Sequence, residues 1–276
     1  MPLIEISSSL DLLNAFLGIM CSPSGELKIS RNCIHPKLPG VYGQKAGGII
    51  LILPSQYYEE SLYPLQDGVM SILTQSDTDF FLTGGTALSR AYYNHRYSDD
   101  LDFFVNQSKT YNEQLDKVLA LLKEAGYSWS TGSDYTRAPN FTTLKIKKDT
   151  DVLLKLDFVN DLVLNFGEVV ETKLFYRTDS IRNILSNKLS AIFRYAAKDI
   201  ADIREIALHE TIDWSLIINE ARQKEAGLEL IYVSDIMRSM PESELETIEW
   251  IKKPTWEEFR SDIDRIIYEM MSGEPQ

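Results

Sequence analysis

Phe80-Phe81-Leu82-Thr83-Gly84-Gly85-Thr86-Ala87-Leu88, followed by His95-Arg96-Tyr97-Ser98-Asp99-Asp100-Leu101-Asp102-Phe103, decides how this chain is read. The first stretch is an apolar run closed by two glycines, the pattern of a buried strand turning sharply into a helix. The second carries carboxylates two residues apart on a strand, where side chains at i and i+2 share a face. Asp100 and Asp102 are therefore expected to point together. Glycine lets backbone approach a ligand closely, and the N–H groups that open a helix favour anions. Acids beside such a turn suit magnesium, or manganese, holding a nucleoside triphosphate.

A third acid, Asp157, interrupts the apolar strand Lys155-Leu156-Asp157-Phe158-Val159. A desolvated carboxylate is costly unless it is paired or bound to metal. Beside Asp100 and Asp102 it would complete a metal-binding trio and help activate an attacking hydroxyl. The plainer reading makes Asp100 and Asp102 solvated edge groups and Asp157 the partner of Lys155 or an arginine. Asp99 should face the other way, toward solvent or a turn. Thr86 would cap the helix or bond phosphate. Arg96 would fork onto phosphate or lock an acidic loop. Ser98 would orient the turn into Asp100, and His95 reads as structural. Neither a P-loop nor a Rossmann fingerprint is present, and three scattered histidines make no zinc site.

A second cluster runs Asn187-Lys188-Leu189-Ser190-Ala191-Ile192-Phe193-Arg194 and on through Lys198-Asp199-Ile200-Ala201-Asp202. It is read either as a salt-bridged surface helix or as a phosphate-binding one. In the second case Lys188 meets the triphosphate or its neighbouring charges, and Asp199 orients that lysine or assists the incoming substrate. Asp199 and Asp202 form an i,i+3 pair.

Around these motifs, strands are expected at 80–83, 101–105, 141–146 and 152–159, with helices at 87–93 and 112–125. A further strand is expected at 49–53, a helix after Ser55, and a short helix at 10–17. From Arg177 onward the pattern turns helical, at 180–194, 200–208, 214–221, 228–240, 243–251 and 256–270. The fold class is α+β, a mixed sheet core with a helical C-terminal region. Three parts are expected: an extension at 1–54, a core at 55–176 and the helical region at 177–276.

With 276 residues, 44% of them hydrophobic, the chain can bury a sizeable core. A net charge of −13 argues against a broadly basic, DNA-binding surface. A local groove built from Arg90, Arg96, Lys145, Lys147, Lys148, Arg182, Lys188 and Arg194 would still admit RNA. Cys21 and Cys33 form neither a CxxC pair nor a disulfide framework. No apolar run approaches a membrane span, and Glu5 and Asp11 interrupt the N-terminal apolar residues, so the cytoplasm is the expected compartment.

Taken together, Gly84-Gly85-Thr86-Ala87-Leu88, His95-Arg96-x-Ser98-x-Asp100-Leu101-Asp102, Leu156-Asp157-Phe158 and Asn187-Lys188-Leu189 resemble the AbiEii/AbiGii toxin family of nucleotidyltransferases. That family lies within the DNA polymerase beta-like superfamily. The resemblance spans about residues 55–205. It implies a nucleotidyltransferase fold, metal ligands at Asp100 and Asp102, and a third acid at Asp157. It also implies a nucleotide-positioning turn at Gly84-Gly85, a later lysine and aspartate at Lys188 and Asp199, and Arg194 between them. The family's late motif often has arginine just before its aspartate; here Lys198 stands there and cannot make a planar bidentate contact. The implied activity is transfer of a nucleoside monophosphate from a nucleoside triphosphate to a hydroxyl, with tRNA as acceptor in related toxins. A cognate antitoxin is the implied protein partner. Rival readings are transfer to a small molecule or protein, an inactive nucleotide-binding protein, and a phosphodiesterase or nuclease.

Overall fold

The computed structural model describes residues 53–273 apart from Ser133, together with the backbone of four short strands nearer the N-terminus. Those strands belong to a compact unit at Met1–Leu53. There β1 (Met20–Cys21) pairs antiparallel with β2 (Leu27–Lys28), and β3 (Val41–Lys45) with β4 (Gly48–Leu51). The helix expected at 10–17 lies outside the described residues.

The second unit, Pro54–Gln276, holds a five-stranded sheet. Its strands are β5 (Phe81–Thr83), β6 (Leu101–Asn106), β7 (Tyr135–Ala138), β8 (Phe141–Ile146) and β9 (Leu154–Asp161), in the order β5-β6-β9-β8-β7. β6 and β9 run parallel and the other neighbours antiparallel. The parallel pair needs a long crossover, and helix α2 (Tyr111–Glu124) with the β7–β8 hairpin supplies it. Helix α1 (Tyr63–Gln75) precedes β5. Between β5 and β6 a helical turn at Gly84–Thr86 widens into π-type winding over Ala87–Tyr93.

Period-two alternation sorts the two sheet faces. Leu101, Phe103 and Val105 of β6 are buried, as are Leu154, Leu156 and Phe158 of β9. They join one apolar cluster with Val69 and Leu73 of α1 and Leu115, Val118 and Leu122 of α2. Phe103 stacks on Phe158, and Tyr111 donates its hydroxyl to the Phe158 carbonyl at 3.0 Å. The other face is set in rows by register. Thr83, Asp102, Asp157 and Thr143 lie side by side across four strands, and Phe81, Phe104, Val159 and Phe141 form the next row.

The longer helices that follow among the described residues are α3 (Ile181–Ser190), α4 (Ala197–His209), α5 (Trp214–Lys224), α6 (Leu230–Ser239) and α7 (Trp256–Ser272). Ser180 caps α3 by accepting from the Asn183 amide, and Thr255 with Glu258 forms a capping box on α7. The architecture is α+β, as the sequence implied. Three local expectations are corrected. The helix expected over 180–194 ends at Ser190, and after one tight turn Tyr195 enters the left-handed region at φ 56°. The helix expected at 243–251 shrinks to Glu242–Leu245. Strand β7 was missed because it is an edge strand with three of its four residues exposed, so it shows no apolar alternation.

Candidate active site

The register of the parallel pair sets Asp102 directly opposite Asp157. Asp100 lies one residue before β6. Gly84 closes over this row from β5, with φ at +70°, a left-handed conformation that glycine alone adopts freely. A Cβ there would come within 2.3 Å of Asp102 Oδ2. Both demands favour glycine. Burial, then repulsion from Asp157 and Asp100, pushes the Asp102 carboxyl up to about 6. Burial also raises Asp100, against the opposing charges of Lys155 and Lys198. Asp157 Oδ1 is buried and has no hydrogen-bond partner.

Lys155 shares the face of β9 that carries Asp157. Its Nζ lies 2.6 Å from Asp157 Oδ2 and 3.9 Å from Asp100 Oδ2. The plainer reading of Asp157, as the partner of Lys155, therefore describes an actual contact. Among the described residues no three His, Cys, Asp or Glu side chains are already gathered as a metal cage.

Behind the row lies a buried ionic network. Lys188 of α3 reaches Asp199 at 2.8 Å and Asp202 at 2.7 Å, both on α4. Both aspartates are fully buried, which rules out the surface-helix reading. Arg96 grips Asp202 with two bonds of 2.7 and 2.9 Å, and His95 Nε2 lies 2.8 Å from the same carboxylate. Burial opposes ionisation of Asp202, but the charges of Arg96 and Lys188 outweigh it and hold the carboxyl well below the usual range. Asp199 is likewise lowered, with Lys188 and Arg194 overcoming its burial. Arg194 bonds Asp199 at 2.5 and 2.7 Å while its side chain remains 55% exposed.

Several residues assigned to nucleotide from the sequence face inward. Thr86 donates to the Asp100 carbonyl and meets Ser98 Oγ at 2.8 Å, so both hydroxyls brace the turn into β6. Arg96 is buried and committed to Asp202, so it locks the loop rather than presenting a free fork. Lys188 is also enclosed by its two carboxylates, leaving Arg194 and Lys198 as the exposed cations of this motif. Asp99 accepts from Tyr58 at 2.6 Å instead of facing solvent alone. Of the residues weighed for a basic groove, Arg96 and Lys188 are buried, Arg90 pairs with Asp67 and Arg182 with Glu220.

Two contributors were not singled out beforehand. Asp202 appeared only as a helical neighbour of Asp199, although its apolar flanks Ala201 and Ile203 signalled burial. Asp179 is buried and accepts from Thr83 at 2.5 Å and from Asn183 at 2.9 Å. It ties β5 to the start of α3. A cavity of about 290 Å³, lined by Phe81, Asn106, Asn165 and Arg177, sits by the far end of β6, away from Asp100 and Asp102.

The fold is shared with solved structures. JHP933 from Helicobacter pylori matches with a TM-score of 0.55 at 19% identity, over 78% of this chain and 93% of that one. MenT4, a nucleotidyltransferase toxin from Mycobacterium tuberculosis, matches at 0.52 and 15% identity, over 76% of this chain and 82% of its own. No curated protein sequence matches. Residues 71–267, which contain the glycine turn, the acid row and the ionic network, match the family described as nucleotidyl transferase AbiEii toxin of type IV toxin–antitoxin systems, and the chain belongs to that family.

Proposed function

We propose that this chain transfers a nucleoside monophosphate from a nucleoside triphosphate to an acceptor hydroxyl, with loss of pyrophosphate. The observation that carries this reading is the register pairing of Asp102 with Asp157 under the Gly84 turn. The donor set also fits a hard divalent cation, because Asp157 keeps one carboxylate oxygen without any partner. Asp100, Asp102 and Asp157 would hold magnesium or manganese, which supplies a lowered pKa at the acceptor hydroxyl and neutralises phosphate charge.

The chain's own groups do the positioning. Gly84 and Gly85 set the turn's backbone against the Asp102 carboxylate and the Arg96 guanidinium, where a Cβ would collide, and exposed Arg194, braced by Asp199, meets the charge of the triphosphate. Lys188 supports the site from behind by fixing Asp199 and Asp202. In the reaction a bond forms between the acceptor oxygen and the α-phosphorus while the bond to pyrophosphate breaks. The hydroxyl proton passes to the Asp157 side of the row. Alignment and electrostatics carry the catalysis, without a protein nucleophile.

As acceptor we place a tRNA end first, on the family resemblance, with a cognate antitoxin as the regulating partner. The net charge of −13 and the pairing of Arg90 and Arg182 favour a second reading, a small hydroxyl compound or protein acceptor. Among the described residues no helix is long and apolar enough to cross a membrane. The test incubates labelled triphosphates and magnesium with total RNA, protein and small-molecule pools, comparing the native chain with Asp102→Asn. Label in RNA that disappears in a folded Asp102→Asn supports the first reading. Label confined to another pool selects the second. Transfer untouched by the substitution, or absent from every pool, overturns both.

A further inference from the structure

We infer that Lys155 is a built-in counter-ion that occupies the cation position of the acid row and must swing out before Asp100, Asp102 and Asp157 grip a divalent ion together. The inference rests on the transferase reading of that row. Lys155 bonds Asp157 at 2.6 Å and stands 3.9 Å from Asp100, so one ammonium bridges two of the three proposed ligands. It is rooted two residues from Asp157 on the same strand face, and so is always at hand.

Two further features hold it there. Lys145 of β8 is its register partner, and like charges directly opposite repel, which drives the Lys155 ammonium toward the carboxylates. The network cations cannot replace it, because Arg96 and Lys188 are committed to Asp202 and Asp199. Its side chain is 38% exposed, however, so solvent offers it an exit. A bare cation must displace this lysine, whereas a cation arriving with a triphosphate brings phosphate oxygens that help displace it. The nucleotide-free chain should accordingly hold cations weakly.

The experiment measures Mn²⁺ binding by the full chain without nucleotide, from the electron paramagnetic resonance signal of the free ion. Lys155→Met is expected to bind about fivefold more tightly than the native chain, the ratio for ~1 kcal/mol at a half-exposed pair. Lys155→Arg, which keeps the charge, should stay near native affinity, and Asp102→Asn should bind less than either. Equal or weaker binding by Lys155→Met, with Asp102→Asn still deficient, overturns the counter-ion role and leaves the acid row standing. Native binding by Asp102→Asn, or no binding by any form, overturns the row and the counter-ion with it. Should Lys155→Met fail to fold, acylation of Lys155 in the native chain, read by mass spectrometry against Lys145, carries the test. Labelling of Lys155 that rises as magnesium saturates supports displacement, and unchanged labelling overturns it.

Discussion

Gly84 lies so close to Asp102 that a Cβ on the glycine would stand 2.3 Å from the carboxylate Oδ2. Gly84→Ala therefore combines a left-handed backbone, costing about 1–2 kcal/mol for a residue with a Cβ, with forced displacement of Asp102. The expected outcome is a folded, less stable protein whose transfer rate drops by on the order of a hundredfold, as about 1 Å of misplacement produces. Urea denaturation and the labelled-triphosphate assay check the two halves separately.

Asp102 should be a group that the fold tolerates at a cost. Its folded pKa of about 6 lies above the ordinary 3.8, so between these values the folded state holds more proton than the unfolded one. Stability then falls as pH rises through that window, and the full penalty of about 3 kcal/mol is present above it. Asp102→Asn removes the penalty. In chelator, the variant should exceed the native chain in unfolding free energy at pH 7.5, and the difference should close near pH 4. A native chain that is the more stable of the two at pH 7.5 contradicts this.

Asp202 has the opposite sign. Its depressed pKa gives stability that is fully present above the unfolded carboxylate value and lost only as pH falls through the folded one. Asp202→Ala leaves Arg96, Lys188 and His95 without their shared acceptor in a buried place, a loss expected to cost about 3–5 kcal/mol. Replacing Lys188 by Met in the same chain should recover part of that loss, since one stranded charge goes with it. Thermal denaturation of the single and double variants measures the coupling.

The sheet core was legible because Phe80–Thr83, Leu101–Val105 and Phe141–Ile146 alternate or run apolar, and the glycine pair marks the turn between the first strand and its helix. The acids were legible for the same reason: a carboxylate in an apolar strand, as at Asp157, has few uses. Exposure was not legible. Spacing placed Lys188, Asp199 and Asp202 near one another, yet their burial depends on how α3 and α4 pack, which no local pattern encodes. The same limit left the two readings of Thr86 and Arg96 undivided, because a hydroxyl or guanidinium reads alike whether it braces a loop or meets phosphate. Lys155 was visible only as the alternative partner of Asp157, since an i,i+2 pair says nothing of which carboxylate the ammonium reaches.

Asp179 connects the two halves of the site and supplies the last test. Its backbone N–H donates to the Leu82 carbonyl at 2.8 Å, and its carboxylate accepts from Thr83 at 2.5 Å, one residue before Gly84. Asn183, in the first turn of α3, donates to the same carboxylate, and α3 goes on to carry Lys188. Burial pushes Asp179 up to about 6, against the bonds from Thr83 and Asn183 that favour its charge. Thr83→Val deletes one donor to a buried carboxylate, for which about 1.5–3 kcal/mol of stability should be lost. Thr83→Ser keeps the hydroxyl and should restore most of it. If the tie positions the glycine turn, Thr83→Val also lowers the transfer rate while Thr83→Ser does not, and amide exchange quickens at Gly84 and Gly85 before it does on β6. Exchange that quickens evenly over β5 and β6 would reduce Asp179 to a general stabiliser of the strand edge.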